Sequence, residues 1–462
     1  MTAHPSHPLS RALDRATGAR PIPGNALRHL PDSATALDVM IELIEGAEQS
    51  VHFENFIVRD DDTGKRFATA WAERARAGVR VRILYDSLGS RGTASGFWRD
   101  LRRAGVDVRA FRPVWTSGII EALTRDHRKV MVVDGREALT GGLCIGDEWA
   151  GDAARHRPAW RDTMIVVTGP AVAALDGAFA RMWSRAGSPL PEDEIASDAP
   201  ECGPSALRVV EGVPGLSRIY RAVQLLAASV VERLWITDAY LVAPPPLFAA
   251  LVDAARSGVD VRFLLPGTTD IPIVRFMSRG GYRELLHAGA RIFEYRGPML
   301  HAKTLLADHG WARIGSSNLN VSSLLGNYEL DVVVEGGDLV DAMAAQFLHD
   351  MGGSREIVLQ ARRRLPPRLI DAPAHPPPPL PQRRTRRELK AAAAVALVQA
   401  AGGAWRMLAG AGAVLFAVMG TLLIALPTIT SAVLAVAAFG TSLGLAGFAL
   451  ARRRRRRESD AR

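Results

Sequence analysis

The chain is poor in cysteine, with two, Cys144 and Cys202, among 462 residues. So few supply no disulfide framework, which fits a reducing compartment. An excess of one charge is also missing from most of its length. The formal net charge is +9, but of 57 Lys+Arg and 48 Asp+Glu, 13 and 3 fall between Arg383 and Arg462. That leaves 44 against 45, a net of −1, for residues 1–382. A near-neutral body lacks the basic surface that a nucleic-acid backbone demands, so no nucleic acid is expected as partner. The opening MTAHPSHPLSRALDRATGARPIPGN has no apolar run of the secretory kind, and residues 1–30 read as a flexible lead-in to a cytosolic body. No convincing metal-ligand cluster stands out, so neither metal nor cofactor is expected.

What the chain does have is apolar surface, at 48% of residues, and part of it is set apart. Met407–Leu426 and Ile429–Ala451 are uncharged, and each is about the 20 residues a helix needs to cross ~30 Å of hydrocarbon. Pro427 and Thr428 separate them, so they predict a transmembrane hairpin. Arginine clusters at 383–387 and 452–457 put both outer ends on the cytoplasmic side. Residues 391–462 thus read as a membrane anchor, with Ala391–Ala404 as a further Ala-rich stretch. The Pro/Arg-rich residues 366–390, which contain APAHPPPPLPQRR from Ala372 to Arg384, read as an extended linker.

The body repeats itself. SVHFENFIVRDDD at Ser50 is echoed by SVVERLWITDAYLVAP at Ser229, and RARAGVRVRILYD at Arg74 by AARSGVDVRFLLP at Ala254. Short β-branched runs alternate with helical stretches that stop at Gly78 and Gly258, as C-terminal glycine caps would. The pattern predicts an α/β fold of two pseudo-two-fold-related lobes, 31–190 and 205–365, with mixed, mostly parallel sheets flanked by helices.

Each lobe then writes His-x-Lys, four residues, Asp, six residues, Gly: His127, Lys129, Asp134, Gly141, and again His301, Lys303, Asp308, Gly315. On a strand, side chains two apart share a face, so each histidine sits beside its lysine. The small residues that follow, Gly142 and Ser316 among them, would let a tetrahedral group approach backbone N–H donors. If the lobes meet at their strand ends, the two histidines can flank one phosphorus. One attacks in line and the other protonates the departing oxygen, as a coupled pair.

These residues resemble the phospholipase D superfamily, whose signature is HxK(x)4D followed by GG or GS, and within it the bacterial cardiolipin synthases. The likeness covers Ser50 to Val334 and includes HRKVMVVDGREALTGGLCIGDEW, WRDTMIVVTGPAV, MLHAKTLLADHGWARIGSSNLN and GNYELDVVV. It implies His127 as the nucleophile that forms a phosphohistidine, His301 as acid then base, and Lys129 and Lys303 as phosphate holders. Asn318 of GSSN matches a phosphate-contacting asparagine. Glu329 of NYEL matches the acid that orients the second histidine, leaving Asp162 of WRD to serve His127. Asp134 and Asp308 complete the candidate catalytic set, although they look like loop braces. Two departures stand out: Cys144 occupies the usual asparagine of the first motif, and Asn320 with Val321–Ser323 replaces the usual Asp and Arg after the second.

The resemblance implies a membrane-anchored phosphatidyltransferase of the bacterial inner membrane, facing the cytoplasm, with phosphatidylglycerol as substrate. One phosphatidylglycerol would lose glycerol, and the hydroxyl of another would take its place to give cardiolipin. Water or another alcohol as acceptor, making a phospholipase D or transphosphatidylase, stays open on these residues. So does a phosphodiesterase or nuclease of the same superfamily, which the near-neutral body disfavours.

Overall fold

Each of two rounds of strand and helix builds the same seven-stranded ribbon. The computed structural model describes residues 8–113, 124–152, 155–197 and 199–359. In the first round the strands are β1 (Ile22–Leu30), β2 (Ser50–Asn55), β3 (Arg80–Asp86), β4 (Asp107–Phe111), β5 (Lys129–Val133), β6 (Glu137–Gly141) and β7 (Met164–Thr168). In the second they are β8 (Ser205–Gly212), β9 (Arg233–Thr237), β10 (Asp260–Pro266), β11 (Arg291–Tyr295), β12 (Thr304–Ala307), β13 (Trp311–Gly315) and β14 (Glu329–Glu335), with β15 (Ser354–Ile357) added at the edge. They join one sheet in the order β15-β11-β10-β9-β12-β13-β14-β8-β1-β7-β6-β5-β2-β3-β4.

Only β2–β3–β4 and β9–β10–β11 run parallel; every other neighbour is antiparallel. The expected parallel majority is therefore confined to these two trios. Crossover helices such as Asp62–Arg76 and Pro245–Arg256 join the parallel neighbours, whereas the motif strands β5–β6 and β12–β13 return as tight hairpins, which forces antiparallel pairing. The two crossover helices stop where the sequence indicates, with Gly78 and Gly258 in the left-handed region at φ 92° and 90°.

The linker, the Ala-rich stretch, both uncharged runs and the end of the second lobe from residue 360 lie outside the described residues. Among the described residues, no helix is long and apolar enough to cross a membrane.

The opening segment departs from the flexible lead-in. Residues Pro8–Thr17 form a helix, and β1 sits at the centre of the sheet, between β7 of its own lobe and β8 of the other. The helix packs on the second lobe, with Leu13 in the core formed by helices Arg218–Ser229, Pro245–Arg256 and Pro272–Ala288. Its polar contacts converge on the fully buried Arg208 of β8, whose guanidinium meets Asp14 at 2.8 Å, the Ser10 carbonyl at 3.0 Å, and Glu335. Local composition, rich in Pro, Gly and Arg, hides an order that comes from distant partners.

Three apolar clusters fill the layers. One lies on the outer face of the first lobe and one on the outer face of the second. The third takes strands of both lobes and the helices Ala171–Arg185 and Asp338–Gly352, so the lobes share a core.

Arg208→Ala strands two carboxylates that are partly screened by solvent, and the expected loss is on the order of 2–3 kcal/mol. A urea melt reads it as a lower midpoint. Deleting residues 1–30 removes the strand at the seam and is expected to abolish cooperative unfolding of the two lobes.

Candidate functional site

His127 and His301 lie just before β5 and β12, on extended segments that reach across to the opposite lobe. Residue 126 bridges in parallel to Tyr328 of the second lobe, with His127 N donating to Tyr328 O at 2.9 Å and Tyr328 N to Arg125 O at 2.8 Å. Arg161 bridges in the same way to Leu300, with His301 N donating to Arg161 O at 2.7 Å and Arg161 N to Met299 O at 2.8 Å. The carboxylate that follows each bridge partner then falls beside the histidine of the other lobe. Glu329 holds His127 Nδ1 at 3.0 Å, and Asp162 holds His301 Nδ1 at 2.7 Å.

This corrects the sequence pairing, which gave Glu329 to His301 and Asp162 to His127. The carboxylates cross because the two bridges fix the register between lobes, and no spacing within a lobe encodes that register.

The carboxylates are themselves held. Glu329 accepts from the hydroxyls of Ser316 and Ser323 as well as from His127. Asp162 accepts from Trp149 Nε1 at 3.2 Å and from Thr163 N at 2.8 Å. Against the upward push of full burial, His301 and Lys303 bring Asp162 down to about 2. Glu329 is likewise lowered despite burial, by His127 and Lys129. Both acids are therefore ionised and accept, so each Nδ1 carries a hydrogen and each Nε2 is left for chemistry.

Burial pushes both imidazoles down. His301 falls to about 4, with Lys303 adding to burial and Asp162 opposing it. His127 is lowered by burial and Lys129 against the pull of Glu329. Both rings are therefore neutral at pH 7. Lys303 is drawn down to about 8 by burial, with Asp162 opposing.

Both histidines line one cavity of about 520 Å³. Its walls are mostly apolar, from Phe56 and Ile57 beside His127 to Trp149, Trp160 and Tyr240 around His301. Asn318 also lines it, and its Oδ1 is buried without a hydrogen-bond partner. Cys144 fills the equivalent place in the first lobe, where burial raises its thiol and keeps it neutral.

The lysines stand behind the histidines rather than on the cavity wall. Lys129 Nζ donates to the His127 carbonyl at 2.5 Å and Lys303 Nζ to the His301 carbonyl, leaving protons on each ammonium.

Gly142 and Ser316 do not offer their amides to a ligand. The Gly142 N–H donates to Thr163 O and the Ser316 N–H to Leu330 O. Smallness serves the positioning acids instead: a Cβ on Gly142 would stand 2.2 Å from Asp162 Oδ1. Asp134 and Asp308 are outside the site, at the far ends of β5 and β12, roughly 20 Å along the strand from the histidines. Each has positive φ, 52° and 48°, and accepts from three backbone amides, at residues 48–50 and 231–233. They brace the start of β2 and β9.

Sequence reasoning missed Ser323, which ties Glu329 to the Asn318 amide at 2.9 Å, and the wall formed by Tyr240 and Asp270, joined at 2.8 Å. The replacement of the usual Arg near Val321–Ser323 was the available signal for the first.

A duplicated lobe whose two copies each place a histidine on one cavity and an acid behind the histidine of the other defines a phospholipase D-like protein. The chain belongs to the family described as cardiolipin synthase, PLD-like domain, whose profile matches residues 40–183 and 223–351. A cardiolipin synthase of Geobacillus kaustophilus (strain HTA426) is 34% identical over 316 residues, which is 66% of this chain and 62% of that protein. Cardiolipin synthase A of Pseudomonas fluorescens (strain Pf-5) is 33% identical over 346 residues, 74% of this chain and 71% of that one. The chain thus spans less than two thirds of the first of these relatives. A phosphatidylserine synthase from Haemophilus influenzae Rd KW20 shares the fold, with a TM-score of 0.57 at 13% identity, over 76% of this chain and 92% of that one.

Gly142→Ala should displace Asp162 and break its bond to His301, visible as a changed Nδ1 signal in imidazole nitrogen NMR. Gly310→Ala, where a Cβ meets nothing within 4 Å, should leave that signal in place.

Proposed function

We propose that the protein is a phosphatidyltransferase that joins two phosphatidylglycerols into cardiolipin and glycerol through a phosphohistidine. The observation that carries this reading is the crossed pair: two imidazoles with Nε2 free, each held by an ionised acid of the other lobe, on one mostly apolar cavity. Such walls suit lipid and disfavour the polyanionic backbone of a nucleic acid.

His127 Nε2 attacks phosphorus, the bond to the glycerol oxygen breaks, and that oxygen takes a proton from His301. The hydroxyl of a second phosphatidylglycerol then gives its proton to His301 and attacks phosphorus, and the P–N bond breaks. One phosphodiester replaces another, so the exchange needs no nucleotide. From behind the histidines, Lys129 and Lys303 supply a positive field to the phosphate, and the Asn318 side chain supplies an amide at its oxygens. The bound anion raises the His301 pKa from its low resting value, so the acid is charged when it is needed. An apolar, water-poor cavity favours a lipid hydroxyl over water in the second step. The uncharged runs 407–426 and 429–451 would hold this cavity at the cytoplasmic face of the membrane.

Purified full-length protein with labelled phosphatidylglycerol should release glycerol and form cardiolipin. His127→Ala is expected to abolish both turnover and acid-labile labelling of the protein, and His301→Ala to cut turnover by about 10²–10⁴-fold. Recovery of phosphatidic acid alone would replace the acceptor by water, and full turnover by either variant would refute the shared site.

The acids separate the histidine roles. Each raises the pKa of its own imidazole, so removing either charge lowers that pKa. For a nucleophile that works neutral, Glu329→Gln moves the acid limb of the pH–rate profile to lower pH. For an acid that works protonated, Asp162→Asn moves the alkaline limb to lower pH and reduces the rate at pH 7. Exchanged limbs would exchange the two roles.

A further inference from the structure

Exposed apolar side chains gather at the mouth of the cavity. On helix Pro272–Ala288, Ile273, Phe276 and Met277 are 57%, 76% and 53% exposed. With Gly280 they recur at i, i+3, i+4 and i+7, which is one face of a helix. That face looks away from the protein, while Tyr282, Leu285 and Ala288 point inward. Val321 and Leu325, 53% and 38% exposed, belong to the turn that also lends residues to the cavity.

The repeat supplies an internal control. Helix Ser95–Arg103 fills the same slot between β3 and β4, buries Trp98 and Leu101, and turns Arg99, Asp100, Arg102 and Arg103 to solvent. The fold does not require an exposed apolar stripe in this slot. Beside the stripe, Arg279 and Arg283 are exposed one turn apart, with Arg279 paired to Glu294 at 2.7 Å, while Arg275 turns inward beside Tyr282 and is half-buried. An apolar stripe edged by arginines is the pattern of a helix lying in the plane of a lipid–water interface.

We propose that helix Pro272–Ala288 and the Val321–Leu325 turn form a docking rim that dips into an anionic phospholipid leaflet. A lipid headgroup then reaches the histidines while its acyl chains stay in the bilayer. Ile271, Val274, Met277 and Val321 line the cavity and continue the same apolar surface outward, so the exit path for those chains is built. A second copy seated on this rim would close the mouth, whereas a leaflet feeds it. The inference rests on the phospholipid reading of the cavity, and its test is chosen to separate the two.

Full-length protein with Cys202→Ser and Phe276→Cys, carrying a nitroxide at position 276, is placed in vesicles of phosphatidylglycerol and phosphatidylcholine. The label should be open to oxygen and shielded from a water-soluble nickel chelate. A label after His309→Cys, on an exposed turn beyond β12, should show the reverse. Nickel access at 276, or dipolar broadening between copies there, would overturn the docking rim. In a second arm, Ile273→Asp with Phe276→Asp should raise the apparent KM for vesicle phosphatidylglycerol about tenfold or more, leaving turnover of a short-chain monomeric analogue within about twofold. Equal loss on both substrates would also overturn it. A chain inactive on every phospholipid, with its label still in lipid, would refute the chemistry and keep the surface.

Discussion

Two short parallel bridges between the lobes carry the site. Each is a pair of backbone hydrogen bonds, one at Asp126 and Tyr328, the other at Arg161 and Leu300. Backbone bonds fix register to a single residue, and the residue after each bridge partner is an acid. The histidine that leaves one lobe therefore meets an acid that has come from the other. Neither lobe alone holds an oriented imidazole, and the shared core behind β7 and β14 keeps the two bridges in place.

The same arrangement explains the small residues of the motif. A buried carboxylate needs several donors and needs room. On one side Gly142 leaves the space that Asp162 occupies; on the other, Ser316 fills the corresponding place and donates to the longer Glu329. Cys144 and Asn318 stand in equivalent positions with unequal hydrogen-bonding capacity. The two halves of the site thus share a plan and differ in detail.

Much of this was readable from residue order alone. The strand and helix alternation, the glycine stops and the paired motif all reappear as structure, because they depend on local periodicity. Residues 8–30 were misread as a flexible lead-in, since the order of the helix Pro8–Thr17 depends on Arg208 far along the chain. The sheet proved more antiparallel than expected, because the motif hairpins and the pairings between strands distant in sequence, such as β2–β5, β9–β12, β1–β7 and β14–β8, all run antiparallel. Asp134 and Asp308 belong to the motif by spacing yet serve the turns before β2 and β9.

By itself the sequence determined which side chains could do the chemistry, that there are two sets of them, and that each is seated at the head of a buried strand. Only the tertiary structure decided which acid meets which histidine, and that the glycine makes room for a carboxylate instead of a phosphate. The reason is physical: side-chain type and strand period are local properties, whereas the register between two lobes is set by contacts among residues nearly 140 to about 200 positions apart.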